Sequence, residues 1–110
     1  IKYFTNCFLA TKVSFSNEMY QLAKAFDLDY DKVVEYALLD KRLGKTHFNV
    51  PGHDNDYGFG GHCLPKDLNA LIYLTERMNT LNKLLTAVKK TNDKVRKNRD
   101  WEKMKGRAIN

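Results

Sequence analysis

Apolar residues recur along the start of the chain at steps of three and four: Ile1, Phe4, Phe8, Phe15, Met19, Leu22 and Phe26, with Thr11 in the one gap. Such steps return to the same side of a helix, so the pattern predicts one long helix from Ile1 to Leu28 carrying a thick apolar stripe. A helix of about 26 residues spans about 39 Å at the standard rise. That exceeds the width of a domain this small, and part of the stripe is expected to pack on another chain or domain. A neighbouring stripe holds Lys2, Asn6, Leu9, Val13 and Asn17. Lys2 and Asn6 therefore project side by side from the first turn, either as ordinary surface residues or as a paired cation and amide.

Asp29 suits the N-cap of a second helix, Tyr30 to Leu39, with Val33, Val34, Ala37 and Leu38 facing inward. A charged corner, Asp40-Lys41-Arg42-Leu43-Gly44, stops it; Arg42 there is either a plain surface arginine or a planar partner for a carboxylate or phosphate. Thr46 to Asp56 reads as a polar loop. A third helix is predicted from Leu64 to Glu76 through Leu68, Leu71, Ile72 and Leu74. A fourth, capped by Thr80, carries Leu81, Leu84, Leu85, Val88 and Val95 into a basic end. No strand pattern competes, so the fold class is all-α: one small helical domain over residues 1–110, with 80–110 a basic helix and linker.

The length of 110 residues and 43% hydrophobic content fit that single domain. No run is long enough to span a membrane, and the opening residues lack a signal-peptide pattern, so a cytoplasmic protein without a membrane partner is expected. Cys7 and Cys63 make no disulfide framework and are expected as free thiols. Charge is uneven. Residues 80–110 hold ten Lys and Arg against three Asp and Glu, leaving nine against ten elsewhere. With Trp101 its only aromatic and no nucleic-acid signature, this basic run reads as a solvated helix face rather than a nucleic-acid surface.

The chemistry concentrates in Tyr57 to Asp67, YGFGGHCLPKD. Gly58, Gly60 and Gly61 allow positive φ and close approach to a bound molecule. Pro65 and Asp67 mark a helix start, which places Cys63 where a helix dipole favours thiolate over thiol. The plainer alternative is an inert cysteine beside a structural turn. His47, His53, His62 and Cys63 match no zinc spacing, and no metal is expected.

Three separated segments fit one pattern: Lys2-x-x-x-Asn6 with Phe8-Leu9-Ala10 and Asn17-Glu18; Asp40-x-Arg42-Leu43-Gly44; and Gly58 to Asp67 followed by Ala70-Leu71. In this order they resemble the central domain of the UDP-glucose/GDP-mannose dehydrogenase family, NAD-dependent enzymes that oxidise a nucleotide sugar twice to its uronic acid. The resemblance implies a fold like the C-terminal domain of 6-phosphogluconate dehydrogenase, with the Ile1–Leu28 helix as the core of a homodimer. It implies Cys63 as the nucleophile that forms a thiohemiacetal and then a thioester. Lys2 and Asn6 would stabilise the oxyanion, and Asp67 would organise the water. Phe59, Gly60 and Gly61 would wrap the sugar, and Arg42 would reach substrate held mainly by the other subunit. NAD would be bound by a domain missing from this chain, since no G-x-G-x-x-G opens a strand-to-helix unit here. A second reading is a stand-alone homologue that serves only as a dimerisation or interaction module.

Overall fold

The computed structural model describes residues 1–104, and among them it holds four helices and no strand. They are α1 (Lys2–Ala25), α2 (Tyr30–Ala37), α3 (Cys63–Arg77) and α4 (Lys83–Val95), with short 3-10 turns at Lys41–Leu43 and Asp100–Met104. The chain is all-helical, as its periodicity predicts. The last part of the predicted linker, 105–110, lies outside the described residues.

Helix α1 runs for 24 residues, and it packs along α3 and α4 through a face other than the apolar stripe. Cys7, Ala10, Ser14 and Asn17 are the buried residues of that packed face, and their small size lets the neighbouring helices approach closely. Their polar groups are satisfied: Ser14 Oγ donates to Val88 O at 3.1 Å, and Asn17 Nδ2 donates to Val13 O at 2.8 Å. Ile1, Phe4, Phe8, Phe15, Leu22 and Phe26 are each at least half exposed. The apolar stripe is thus exposed along the helix in this chain. The helix closes three residues before the predicted Leu28, where Asp27 takes φ 58° and Leu28 N–H bonds Ala23 O at 2.8 Å.

Asp29 caps α2 as expected, its Oδ1 accepting from Asp31 N–H at 3.0 Å. The inward face is narrower than predicted, for Val33 and Ala37 are exposed and only Val34 joins the core. Tyr30 anchors this helix instead, packed with Ala23 and Val50 and donating from Oη to Phe48 O at 2.7 Å. Helix α3 starts at Cys63 rather than Leu64. Pro65 still lies in the first turn, where backbone N–H groups have no helical partner. Helix α4 starts at Lys83, later than predicted. Thr80 does not cap it; its N–H returns to Thr75 O at 2.9 Å and closes α3. Leu81 and Leu84 are consequently exposed, while Leu85 and Val88 reach the core.

The main core gathers Cys7 and Ala10 of α1, Leu68 of α3, Val88 of α4 and Phe59 from the preceding loop. Phe59 draws the loop under α4, where side chains grip its backbone. Asn92 Oδ1 accepts from Phe59 N–H at 2.7 Å and Asn92 Nδ2 donates to Phe59 O at 2.9 Å. Asn17 Oδ1 accepts from Gly58 N–H at 3.1 Å, and Asp100 Oδ1 from Gly61 N–H at 2.9 Å. Arg96 completes the hold. Its side chain is 1% exposed and pairs through Nη2 with Asp54 Oδ2 at 2.7 Å and through Nε with Asp56 Oδ2 at 3.5 Å, and Nε donates to Asn98 O at 2.6 Å. The basic run is therefore not a uniformly solvated face, because one of its arginines is the buried centre of a charge cluster.

That cluster sets an acid limit. Burial pushes the carboxyls of Asp54 and Asp56 up, but it is outweighed: Asp54 is lowered by Arg96 and the Asp56 N–H, and Asp56 by N–H groups of Asn98, Tyr57 and Lys97 together with the Arg96 charge. Both groups end below their ordinary value of 3.8. A carboxyl lowered in the folded state releases its proton there more readily than in the unfolded chain. Its contribution to stability is present above the ordinary value and is lost as pH falls below it. Urea unfolding between pH 6 and pH 2.5 should show a decline that steepens below about pH 4. Arg96→Met should cost about 3 kcal/mol at neutral pH by leaving the carboxylates unpaired. It should also flatten the acid decline; a variant curve parallel to that of the parent would contradict the assignment.

Candidate functional site

The two cysteines sit in opposite settings. Cys7 is buried in α1 and its thiol donates to Asp67 O at 3.5 Å; burial, then the Asp67 charge, push its pKa up to about 11. Such a thiol stays protonated and inert. Cys63 is free and exposed in the first turn of α3.

One turn beyond Cys63 on the same helix, Asp67 is completely buried. Helix packing brings α1 to it: Asn6 Nδ2 donates to Asp67 Oδ2 at 2.7 Å. The second oxygen, Oδ1, accepts no hydrogen bond and lies 3.7 Å from Lys66 Nζ. It is the one buried side-chain polar atom without a hydrogen bond among the described residues. Buried carboxylate oxygens are nearly always hydrogen-bonded, and this one has only the Lys66 ammonium as a charge partner. An amide nitrogen carries two hydrogens, and the Asp67 bond uses one of Asn6's. Lys2 stands exposed one turn earlier on α1.

The glycine loop borders a cleft of about 510 Å³. Gly58, Phe59, Gly60 and Gly61 form one side with Leu64 and Asp100; Val13 of α1 and the loop residues Lys45, Thr46, His47, Asn49 and Gly52–Asp54 form the rest. Burial, then the nearby charges of Lys12 and His53, lower the His47 pKa from its ordinary value. The three glycines have different reasons to be glycine. A Cβ on Gly58 would meet Asn92 Oδ1 and one on Gly60 would meet the Arg96 guanidinium, whereas Gly61, at φ 77°, faces open space. Two of them thus give clearance to the side chains holding the loop, and the third leaves room on the free side. The Phe59 ring is taken up by the core.

Arg42 is not among the residues that line the cleft. Its side chain is 88% exposed, and the guanidinium forks Asp40, with Nη2 to Oδ2 at 2.6 Å and Nε to Oδ1 at 3.0 Å. The structure thus brings Asn6 to Asp67 at the α1–α3 contact, with Cys63 one turn before Asp67 on α3; Lys2, Asn6, Cys63 and Asp67, like Arg42, are not among the residues that line the cleft, whereas Phe59, Gly60 and Gly61 are. Asn92, Arg96 and Asp100 have no place in the sequence-based site, because they act on residues 33 to 42 positions away. The one available signal was charge complementarity between the acidic Asp54-Asn55-Asp56 and the basic residues after Thr80.

The model of the UDP-glucose/GDP-mannose dehydrogenase family, central domain, matches residues 1–94. Among individual relatives, the UDP-glucose 6-dehydrogenase of Pseudomonas aeruginosa is 43% identical over 91 residues, which is 83% of this chain and 19% of that protein. UDP-glucose 6-dehydrogenase TuaD of Bacillus subtilis is 38% identical over 96 residues, 87% of this chain and 20% of its own length. The GDP-mannose 6-dehydrogenase of Pseudomonas savastanoi pv. phaseolicola is 38% identical over 93 residues, 84% of this chain and 20% of its own. The chain thus spans about a fifth of the length of these relatives. With nearly the whole helical unit matched, including Asn6, Cys63, Asp67 and the glycine loop, the chain belongs to the UDP-glucose/GDP-mannose dehydrogenase family and corresponds to its central domain.

Proposed function

We propose that the chain is the catalytic and dimer-forming middle of an NAD-dependent nucleotide-sugar 6-dehydrogenase, oxidising the sugar C6 alcohol to a carboxylate through Cys63. The observation that carries this reading is the Asn6–Asp67 hydrogen bond at 2.7 Å, made one helical turn from an exposed cysteine and leaving Asp67 Oδ1 open. The relatives named as UDP-glucose and GDP-mannose 6-dehydrogenases point to the substrate class. Lys45 in the cleft wall offers a cation to an anionic diphosphate. A cytoplasmic setting is in keeping with two free thiols.

In this reading the Cys63 thiolate adds to the C6 aldehyde carbon. A C–S bond forms and the carbonyl electron pair moves to oxygen, where Lys2 and the remaining Asn6 N–H act as preorganised donors. At the thioester stage, water attacks the carbonyl and gives one proton to the Asp67 carboxylate; the C–S bond breaks, and the thiolate is restored as the acid leaves. The described residues contain no strand, hence no strand–glycine turn–helix unit of the kind that cradles a dinucleotide. They do not fit NAD, and both hydride removals are assigned to a part of the protein outside this chain.

The exposed stripe of α1 supports a homodimer, with Arg42 available to substrate held by the other subunit. A stand-alone interaction module would use the same stripe; formation of the acid separates the two readings. In the complete polypeptide carrying this domain, Cys63→Ala should abolish uronic acid formation from the nucleotide sugar, read by chromatography of the product. Undiminished acid would sink the assignment. Phe8→Glu with Phe15→Glu puts two charges in the middle of the stripe and should weaken dimerisation at least about 100-fold in sedimentation equilibrium. A parent protein that is monomeric at high concentration would refute the dimer.

A further inference from the structure

We infer that Asn92 is a positioning residue for the nucleophile, acting through the backbone of Phe59; this rests on the role proposed for Cys63. Asn92 is 3% exposed and lies on α4, which carries none of the candidate catalytic residues. Its amide serves both backbone groups of a single residue, accepting from Phe59 N–H at 2.7 Å and donating to Phe59 O at 2.9 Å. Two bonds of opposite sense fix the rotation of that residue as well as its place, as a neighbouring strand would. They also fix which amide atom is oxygen, since exchanging O and N would set donor against donor and acceptor against acceptor. The Phe59 ring is meanwhile buried in the core at 5% exposure.

Only Gly60, Gly61 and His62 separate this anchor from Cys63. Helix α3 has no side-chain cap bond at its start, so its first turn is not fixed by its own cap. That turn is held upstream at Phe59 by Asn92 and at Gly61 by Asp100, and downstream at Asp67 by Asn6; of these only Asn92 bonds both backbone groups of one residue. The missing Cβ of Gly58 is part of the device, because it would occupy the position of Asn92 Oδ1. Attack on a carbonyl needs the sulfur within narrow limits of distance and angle, and small displacements from remote changes are costly in rate.

The test uses the complete polypeptide with Asn92→Leu, which removes both bonds, and Asn92→Asp, which keeps an acceptor for Phe59 N–H and sets an oxygen against Phe59 O. Both variants should lower kcat roughly 10- to 100-fold. KM for the nucleotide sugar should stay within about threefold, the signature of lost transition-state positioning. The rate at which iodoacetamide alkylates Cys63 at neutral pH should change at least about threefold, because the turn that sets the sulfur's place is loosened. Unchanged kcat and alkylation rate in either folded variant would overturn the inference. So would lost kcat with a lowered melting temperature and unchanged alkylation, which would make Asn92 a residue of the fold alone. If Asn92→Leu does not fold, Asn92→Asp carries the test, and failure of both to fold also overturns it. Cys63→Ala measured alongside keeps the questions apart. If it still forms acid, the role of Cys63 fails, yet the alkylation comparison still decides whether Asn92 positions the thiol.

Discussion

The guanidinium of Arg96 is almost wholly withdrawn from water, and a charge so placed is tolerated only when paired and hydrogen-bonded. That condition dictates the path of the segment before α3. Asp54, Asp56 and Asp100 must all come to the arginine, so the segment before the glycine loop is pulled against the end of α4. Asn92 and Asn17 then convert proximity into register by bonding individual peptide groups of Gly58 and Phe59. A stretch with no regular secondary structure is thereby held by side chains instead of by backbone ladders. Unpaired backbone groups in a partly buried loop would otherwise be costly.

The helices were legible because each repeats its apolar residues at the helical period, and the Asp29 cap was legible because its bonds are local. Which side of α1 faces the core was not. Its strongest periodic signal, Phe4 through Phe26, points to solvent in this chain, while the packed side is marked by Cys7, Ala10, Ser14 and Asn17. Periodicity reports that a face will be buried and is silent about what buries it. Close helix contact selects small side chains, which score weakly for hydrophobicity. The glycine–cysteine segment could likewise be found in sequence, whereas Asn92 and Arg96 could not, since a polar residue on an amphipathic helix looks the same whether it meets water or a peptide group 33 residues away.

The glycines sharpen the point. Read locally, Gly58, Gly60 and Gly61 form one permissive loop for a ligand. In the fold the first two are tight against Asn92 and Arg96, and only Gly61 borders open space. The loop is thus stiff where it meets the protein and open where it meets the cleft. In the proposed reaction Cys63, at its end, would be carried by a rigid mount, which lowers the entropy cost of reaching an attack geometry.

Helix α1 ties this mount to whatever covers its apolar face. It presents Asn6 to Asp67 from one side and Phe4 and Phe8, 81% and 58% exposed, from another. The helix start is weakly secured, for Ile1 makes no side-chain cap bond and the first turn contains no acidic residue to favour the positive end of the dipole. Uncovered, that turn is the part of α1 most prone to fray, and it is the turn that carries Lys2. Covering Phe4 and Phe8 in the proposed dimer would restrain it from outside the chain. Assembly and the ordering of the oxyanion donors would then be one event, because a single helix serves both.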